Sequence, residues 1–135
     1  MKKVYQAVFE EGLGDCFRAC VAAIFEFPIE HMPNFWEQTQ DPEEFWKLTD
    51  RWIREHLHCR CINFYFSKKD RHLVDDVLCI ASGRSPRNND EDHAVVWKNG
   101  LIHDPHPSNE GLAKAPGTFT LFIPLNPLNL LSRKP

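Results

Sequence analysis

Residues 16 to about 27, CFRACVAAIFEF, are apolar on nearly every side of the helix that they would form. A helix that is apolar all round is stable only when it is buried, because no face of it suits water. Pro28 follows and cannot continue the helix, while Gly12 and Gly14 provide a turn before it. The chain therefore has to build a layer of structure that covers this helix on several sides.

The remaining sequence predicts one more helix and a set of strands. Asp41 can cap a helix that begins with Pro42, and apolar side chains then recur at helical spacing up to about His58. Strand-forming patterns cover residues 59–66, 77–82, 93–98, 101–104 and 118–124, and residues 4–9 form a short strand or an extended lead-in. This order predicts an α+β fold in which the buried N-terminal helix packs on an antiparallel sheet.

Composition limits the classes of protein to which this chain can belong. Its 135 residues, of which 42% are hydrophobic, suit a single domain that spans residues 1–135, since neither a repeat nor a linker divides the sequence. The net charge of -3 argues against a nucleic-acid partner, and no apolar run is long enough to cross a membrane. The charged start has no apolar signal core behind it, so we expect a cytoplasmic protein with reduced thiols.

Cys16 occupies the first turn of the predicted buried helix. The unpaired N–H groups and the dipole at a helix N-terminus favour a thiolate, so a cysteine there is a candidate nucleophile. The alternative is a buried, inert cysteine, and we favour that alternative for Cys20, which lies one helical turn further on. The two interpretations differ in whether the fold brings a general base to Cys16.

Asn99-Gly100 between two apolar runs predicts a β-hairpin with a two-residue turn. In the register that this turn imposes, Val95 faces Asp104, and side chains alternate between the two faces of the hairpin. His93 and Asp104 are then diagonal neighbours on one face, close enough for a side-chain hydrogen bond. The hairpin therefore predicts a histidine that is held by a carboxylate.

A histidine held by a carboxylate is the partner that a nucleophilic thiol needs. His93 would accept the proton of Cys16 and later deliver it to the leaving group, while Asp104 would orient the ring and stabilise its charged form. The backbone N–H of Cys16 and the side-chain amide of Gln6 would stabilise the oxyanion. These residues predict acyl transfer to Cys16 without a metal or a cofactor.

Three further residues are predicted to border the substrate. Trp36 lies in a loop that suits the wall of a cleft. His106 is predicted to lie directly opposite His93 on the same face of the hairpin, whereas His103 is expected on the opposite face, exposed to solvent. Asp15 directly precedes the nucleophile, where an ionised carboxylate would oppose a neighbouring thiolate.

Two stretches of this chain resemble papain-like cysteine peptidases. They are GDCFRACVAAIFEFPIEHMP and HAVVWKNGLIHDPHPS, and they are most similar to small bacterial and phage hydrolases grouped with the bacteriocin-leader peptidases. That superfamily carries Gln, Cys at a helix start, His on a strand and then Asp or Asn, an order matched here by Gln6, Cys16, His93 and Asp104. The resemblance implies a papain-like fold and hydrolysis or transfer at an amide or thioester carbonyl, with a peptide or small amide as substrate. The chain departs from the pattern at Asp15, where relatives often carry Asn.

Two other classes of function are compatible with the sequence. One is a non-catalytic binding or host-interaction module on the same fold, which the acid at position 15 and the small size favour. The other is a metal or redox protein that would use the cysteines together with His56, His58 and the pair His103 and His106, but their spacing matches no standard zinc pattern.

Overall fold

Two α-helices and five antiparallel strands make up the computed structural model, which describes residues 1–10 and 13–128. The helices are α1 (Cys16–Phe25) and α2 (Pro42–Leu57), and the strands are β1 (Cys59–Phe64), β2 (Cys79–Arg84), β3 (Asp92–Trp97), β4 (Leu101–His103) and β5 (Thr118–Pro124). Short 3-10 turns cover Ile29–His31, Phe35–Glu37 and Lys68–Val74. The strands lie in the order β1-β5-β2-β3-β4. The predicted α+β architecture is confirmed, and Gly12 of the predicted turn lies outside the described residues.

Helix α1 is buried, as its composition predicts. The buried side chains occupy several sides of it and are Phe17, Ala19, Cys20, Val21, Ala22 and Ala23. The helix packs on β3 and β2, in a core cluster that includes Ile80, Ala94 and Val96. It ends at Phe25, ahead of the predicted boundary, because Glu26 adopts a left-handed conformation with φ 59°.

Helix α2 begins as predicted, since the Asp41 carboxylate accepts the backbone N–H of Glu43 at 3.2 Å. Phe45 and Ile53 on its inner side are buried in the protein.

The other face of the sheet carries a second core cluster, formed by Val74, Cys79, Ala81, Val95 and Phe119. Within the described residues, neither α-helix is both long and apolar enough to cross a bilayer.

The hairpin between β3 and β4 contains a bulge that the sequence analysis does not predict. Val96 pairs with His103, in agreement with the predicted register, but Trp97 pairs with Leu101 rather than with Ile102. One extra residue on β4 therefore lies between the two pairs, as in a β-bulge. The predicted two-residue turn is wrong at the tip of the hairpin, whereas the alignment at its open end is the predicted one.

Contacts with a distant turn account for the shape of the hairpin tip. Asn99 adopts a left-handed conformation with φ 59°, and the Lys98 N–H donates to the Gly100 carbonyl at 2.9 Å. The Asn99 side chain accepts the Asp76 N–H at 2.7 Å and donates to Asp76 Oδ1 at 2.8 Å. This reciprocal pair ties the tip to the segment before β2, a contact that no local pattern reveals.

Residues 1–9 run as an extended segment beside β4. His103 Nε2 donates to the Val4 carbonyl at 2.7 Å, and Tyr5 packs edge-on against the His103 ring with 5.0 Å between ring centroids. His103 is consequently only 3% exposed. The prediction of an exposed His103 is wrong, because the N-terminal segment covers a face that the hairpin alone would leave open.

Candidate active site

A cleft of about 760 Å³ lies at the N-terminal end of α1. Five of the seven predicted site residues line it: Gln6, Cys16, Trp36, His93 and His106. They belong to the N-terminal segment, α1, a 3-10 turn, β3 and the loop after β4. The fold thus brings together side chains from five separate parts of the chain.

His93 and Asp104 form the predicted hydrogen bond, with 2.7 Å between His93 Nε2 and Asp104 Oδ1. Their side chains are almost inaccessible to solvent, at 4% and 0% exposure. Asp104 Oδ1 also accepts the His106 N–H at 2.9 Å, and Oδ2 accepts the Gly111 N–H at 2.7 Å. Three donors therefore fix the carboxylate, and the carboxylate fixes the imidazole.

This environment favours the charged form of the His93 ring. Burial opposes the charge, but hydrogen bonds to Asp104 and Cys16, with their electrostatic attraction, outweigh burial and raise the pKa of His93 to about 9. Burial alone would raise the pKa of Asp104, but the bond from His93 and two backbone N–H groups lower it below its ordinary value. The pair is therefore an imidazolium and a carboxylate at neutral pH.

Cys16 is the first residue of α1 and lies half-buried at the cleft. Cys16 lies near the His93 ring and contributes to the raised pKa of that ring. Nε2 of the ring is bonded to Asp104, which leaves Nδ1 available to the sulfur. Thiol, imidazole and carboxylate are thus grouped at a helix N-terminus.

Three of the other four cysteines have environments that suppress reactivity. Burial raises the pKa of Cys20, and it raises the pKa of Cys61 to about 12 and that of Cys79 to about 11. These thiols stay protonated near neutral pH and are therefore poor nucleophiles. The described part of the chain holds no disulfide, and no three of its His, Cys, Asp or Glu side chains are grouped to share a metal ion.

Gln6 reaches the cleft, and its Nε2 lies 3.7 Å from the position that a Cβ on Gly14 would take. Nε2 donates to the Val8 carbonyl at 3.1 Å, which fixes the orientation of the amide group. That bond uses one of the two N–H groups of Nε2 and leaves the second for a ligand. The Gln6 backbone N–H donates to the Pro105 carbonyl at 3.0 Å, directly after Asp104. The predicted oxyanion donor therefore lies within the site.

Asp15 is set apart from the residues that line the cleft, and the prediction that it borders the substrate is corrected. Its carboxylate is fully buried and accepts the N–H groups of Ala7 and Val8 at distances of 3.0 to 3.2 Å. Arg18 lies 3.0 Å from Asp15 Oδ2. The Arg18 cation offsets the negative charge that was expected to oppose a thiolate at Cys16.

Trp36 and His106 both line the cleft, but their surroundings differ. Trp36 stacks on Phe45 with 3.9 Å between ring centroids, which fixes it as part of the wall. The rings of His106 and His93 lie 6.4 Å apart, and β4 ends before it could pair these residues as predicted. Burial and the neighbouring Arg87 lower the pKa of His106, so its ring is neutral at neutral pH.

Two features of the cleft are missing from the sequence analysis. Gly111 holds Asp104 from a loop in which its own φ is 70°, and a lone glycine gives little indication of such a role. The other feature is a group of polar side chains that the sheet contributes to the cleft: Asn63, Ser82, Thr118 and Thr120. The alternation of threonine with apolar residues in β5 is the pattern that could have revealed it.

Comparisons with protein-family models, with curated proteins and with solved structures found no match to this chain. The functional conclusion therefore depends on the geometry of the cleft. That geometry places a thiol, a charged imidazole and a carboxylate together at one cleft, and nucleophilic catalysis needs these three groups.

Proposed function

We propose that this protein is a cysteine hydrolase, a peptidase or amidase on a papain-like fold, with Cys16 as its nucleophile. The observation that carries the proposal is the buried His93–Asp104 bond of 2.7 Å together with the position of Cys16 beside the same ring in the cleft. The order of these residues, on a helix start, a strand and the loop after the next strand, supports the choice of fold. A purely structural His–Asp pair would account for the burial but not for the thiol beside it in a cleft.

The reaction that fits these residues is acyl transfer followed by hydrolysis. His93 already holds the proton of Cys16 as an imidazolium, and the Cys16 sulfur forms a bond to the substrate carbonyl carbon while an electron pair moves to the oxygen. When this oxyanion collapses, the C–N bond breaks and the amine leaves with the proton from His93. Water then gives a proton to His93 and attacks the thioester, and the C–S bond breaks to release a carboxylic acid, which restores the Cys16 sulfur as a thiolate beside the imidazolium.

Two N–H groups serve the oxyanion in this proposal. One is the backbone N–H of Cys16, which lies at the start of α1 and has no partner within the helix. The other is the second N–H of Gln6 Nε2. The neutral polar side chains that the sheet presents to the cleft suit a peptide or small amide, and a reducing compartment such as the cytoplasm would keep the nucleophile as a thiol.

Alkylation by iodoacetamide, measured for each cysteine by mass spectrometry at acidic, neutral and alkaline pH, tests the nucleophile. We expect Cys16 to react at least about tenfold faster than the buried Cys20 at neutral pH. His93→Ala should remove this advantage, whereas Asp50→Asn, in an ion pair on α2, should leave it intact. Slow alkylation of Cys16, or a rate indifferent to His93→Ala, would instead favour a non-catalytic binding module on the same fold.

A further inference from the structure

Asp15 uses its side chain differently from most residues that precede a helix. An aspartate in this position normally accepts N–H groups from the first turn of its own helix. Here the carboxylate makes no such bond and instead accepts the N–H groups of Ala7 at 3.1 and 3.2 Å and of Val8 at 3.0 Å. Helix α1 therefore has no side-chain cap, and the carboxylate that could have capped it binds the backbone of Ala7 and Val8 instead.

Arg18 fixes the orientation of this carboxylate. Its guanidinium lies 3.0 Å from Asp15 Oδ2, and its Nε donates to the Met32 carbonyl. The Asp15 side chain is completely buried and that of Arg18 is 15% exposed, so water competes little with either contact. A largely buried charge pair that is hydrogen-bonded to the backbone on both sides has a well-defined geometry.

Gln6 directly precedes Ala7 and Val8, the two residues whose backbone N–H groups are bonded to Asp15. The backbone N–H of Gln6 donates to the Pro105 carbonyl, and the N–H of the next residue, Ala7, donates to Asp15. The Gln6 side-chain amide donates to the Val8 carbonyl, which keeps it close to Gly14. These contacts fix the amide relative to the residue that follows Asp15, which is the nucleophile. We propose that Asp15 and Arg18 are a positioning pair, which holds Gln6 at the distance from Cys16 that an oxyanion donor requires.

This inference rests on the proposed function and extends it, since neither Asp15 nor Arg18 touches the reacting atoms. An oxyanion donor is effective only when its N–H lies within hydrogen-bond distance of the developing charge. Loss of one such donor typically slows catalysis by about 10²- to 10³-fold. Removal of the Asp15 carboxylate should therefore impair the oxyanion donor and leave the nucleophile in place.

Two reactions of the same thiol separate these effects. With p-nitrophenyl acetate, the Cys16 sulfur attacks the ester carbonyl, an oxyanion forms, p-nitrophenolate leaves and an acetyl thioester remains. With iodoacetamide, the sulfur displaces iodide from a saturated carbon, and no oxyanion forms. The ratio of the acylation rate to the alkylation rate thus reports the oxyanion donor separately from the reactivity of the thiol.

We expect Gln6→Ala and Asp15→Leu each to lower that ratio by roughly 10²-fold, and the double variant to be no worse than either single variant. Asp15→Asn, which keeps an acceptor oxygen, and Arg18→Met should give smaller losses in the same direction. If Asp15→Leu does not fold, the ratios measured for Asp15→Asn and Arg18→Met test the positioning role of Asp15 and Arg18. Asp50→Asn removes a carboxylate from an ion pair on α2 and should keep the wild-type ratio.

The proposal is overturned if the Asp15 variants keep the wild-type ratio, if they slow both reactions equally, or if the effects of Gln6→Ala and Asp15→Leu multiply in the double variant. A different result identifies failure of the proposed function itself. If Cys16→Ser releases p-nitrophenolate as fast as the wild type, Cys16 is no acyl acceptor, and both proposals are rejected without reference to Asp15.

Discussion

The backbone N–H of Gly111 lies 2.7 Å from Asp104 Oδ2, so a loop glycine completes the hydrogen bonding of the carboxylate that holds His93. Its φ of 70° is a conformation that residues with a side chain rarely adopt. A Cβ at this position would also lie 3.0 Å from Leu101 Cδ1. The geometry of the candidate site therefore depends on a residue that has no side chain of its own.

Gly111→Ala should destabilise the protein by about 1–2 kcal/mol, because alanine at positive φ is strained. If the loop shifts to relieve the strain, the bond to Asp104 lengthens and the pKa of Asp104 rises. Urea unfolding measures the first effect, and NMR titration of the Asp104 carboxyl group measures the second. Gly117→Ala is the matched control, since a Cβ there meets nothing within 4 Å, and it should change stability by less than about 0.5 kcal/mol. Equal effects of the two substitutions would contradict the role given to Gly111.

Asp104→Asn should lower the pKa of His93 from about 9 toward its ordinary value of about 6.5. The substitution removes the negative charge and keeps a side chain of similar size, while burial continues to oppose the imidazolium. NMR titration of ¹⁵N-labelled histidine measures the change. As a control, Asp50→Asn should leave the pKa of His93 at about 9. An unchanged pKa in Asp104→Asn would show that Asp104 is not the main cause of the raised pKa of His93.

The stability of the protein should depend on pH through His93. Since its folded pKa of about 9 lies above the ordinary value, the imidazolium stabilises the folded state fully below about pH 6.5, and this contribution is lost as the pH rises through about 9. The loss should be about 3 kcal/mol, since each unit of pKa difference corresponds to about 1.4 kcal/mol. Urea unfolding across this range, compared between the wild type and His93→Gln, isolates it. A variant with the same pH dependence as the wild type would refute the assignment.

Substitutions of Asn99 should separate backbone strain from side-chain bonding at the hairpin tip. Asn99→Gly loses both bonds to Asp76 but tolerates φ 59°, so we expect a cost of about 1 kcal/mol. Asn99→Ala loses the same bonds and is also strained, which should add about 1 kcal/mol. Urea unfolding of the two variants measures the difference. If alanine were tolerated as well as glycine, the left-handed conformation would not be a constraint on this turn.

Local patterns in the sequence were sufficient to predict the central contact of the site. The apolar composition of α1 required burial, and the pairing of Val96 with His103 follows from the alternation of side chains around the Asn-Gly turn. That pairing brings His93 to Asp104 even though the tip of the hairpin has a different shape. The bulge shifts the pairing by one residue, so the register between the bulge and the site is the predicted one although the turn is not.

The contacts of the N-terminal segment could not be predicted in this way. His103 is buried because Val4 and Tyr5 cover it, and Asp15 turns away from its own helix because Ala7 and Val8 supply two N–H groups. Neither pairing leaves a periodic pattern, since the segment is extended and lies outside the sheet. Contacts of this kind are set by the tertiary fold rather than by local propensity.

The positions of the site residues along the chain also determine when the thiol first meets the imidazole. During synthesis Cys16 leaves the ribosome early, while His93, Asp104 and Gly111 emerge much later. A partly synthesised chain therefore carries the thiol without its proton acceptor, and the complete arrangement appears only once the loop after β4 has joined the fold. The order of residues along the chain therefore makes folding the step that brings the Cys16 thiol to the imidazole.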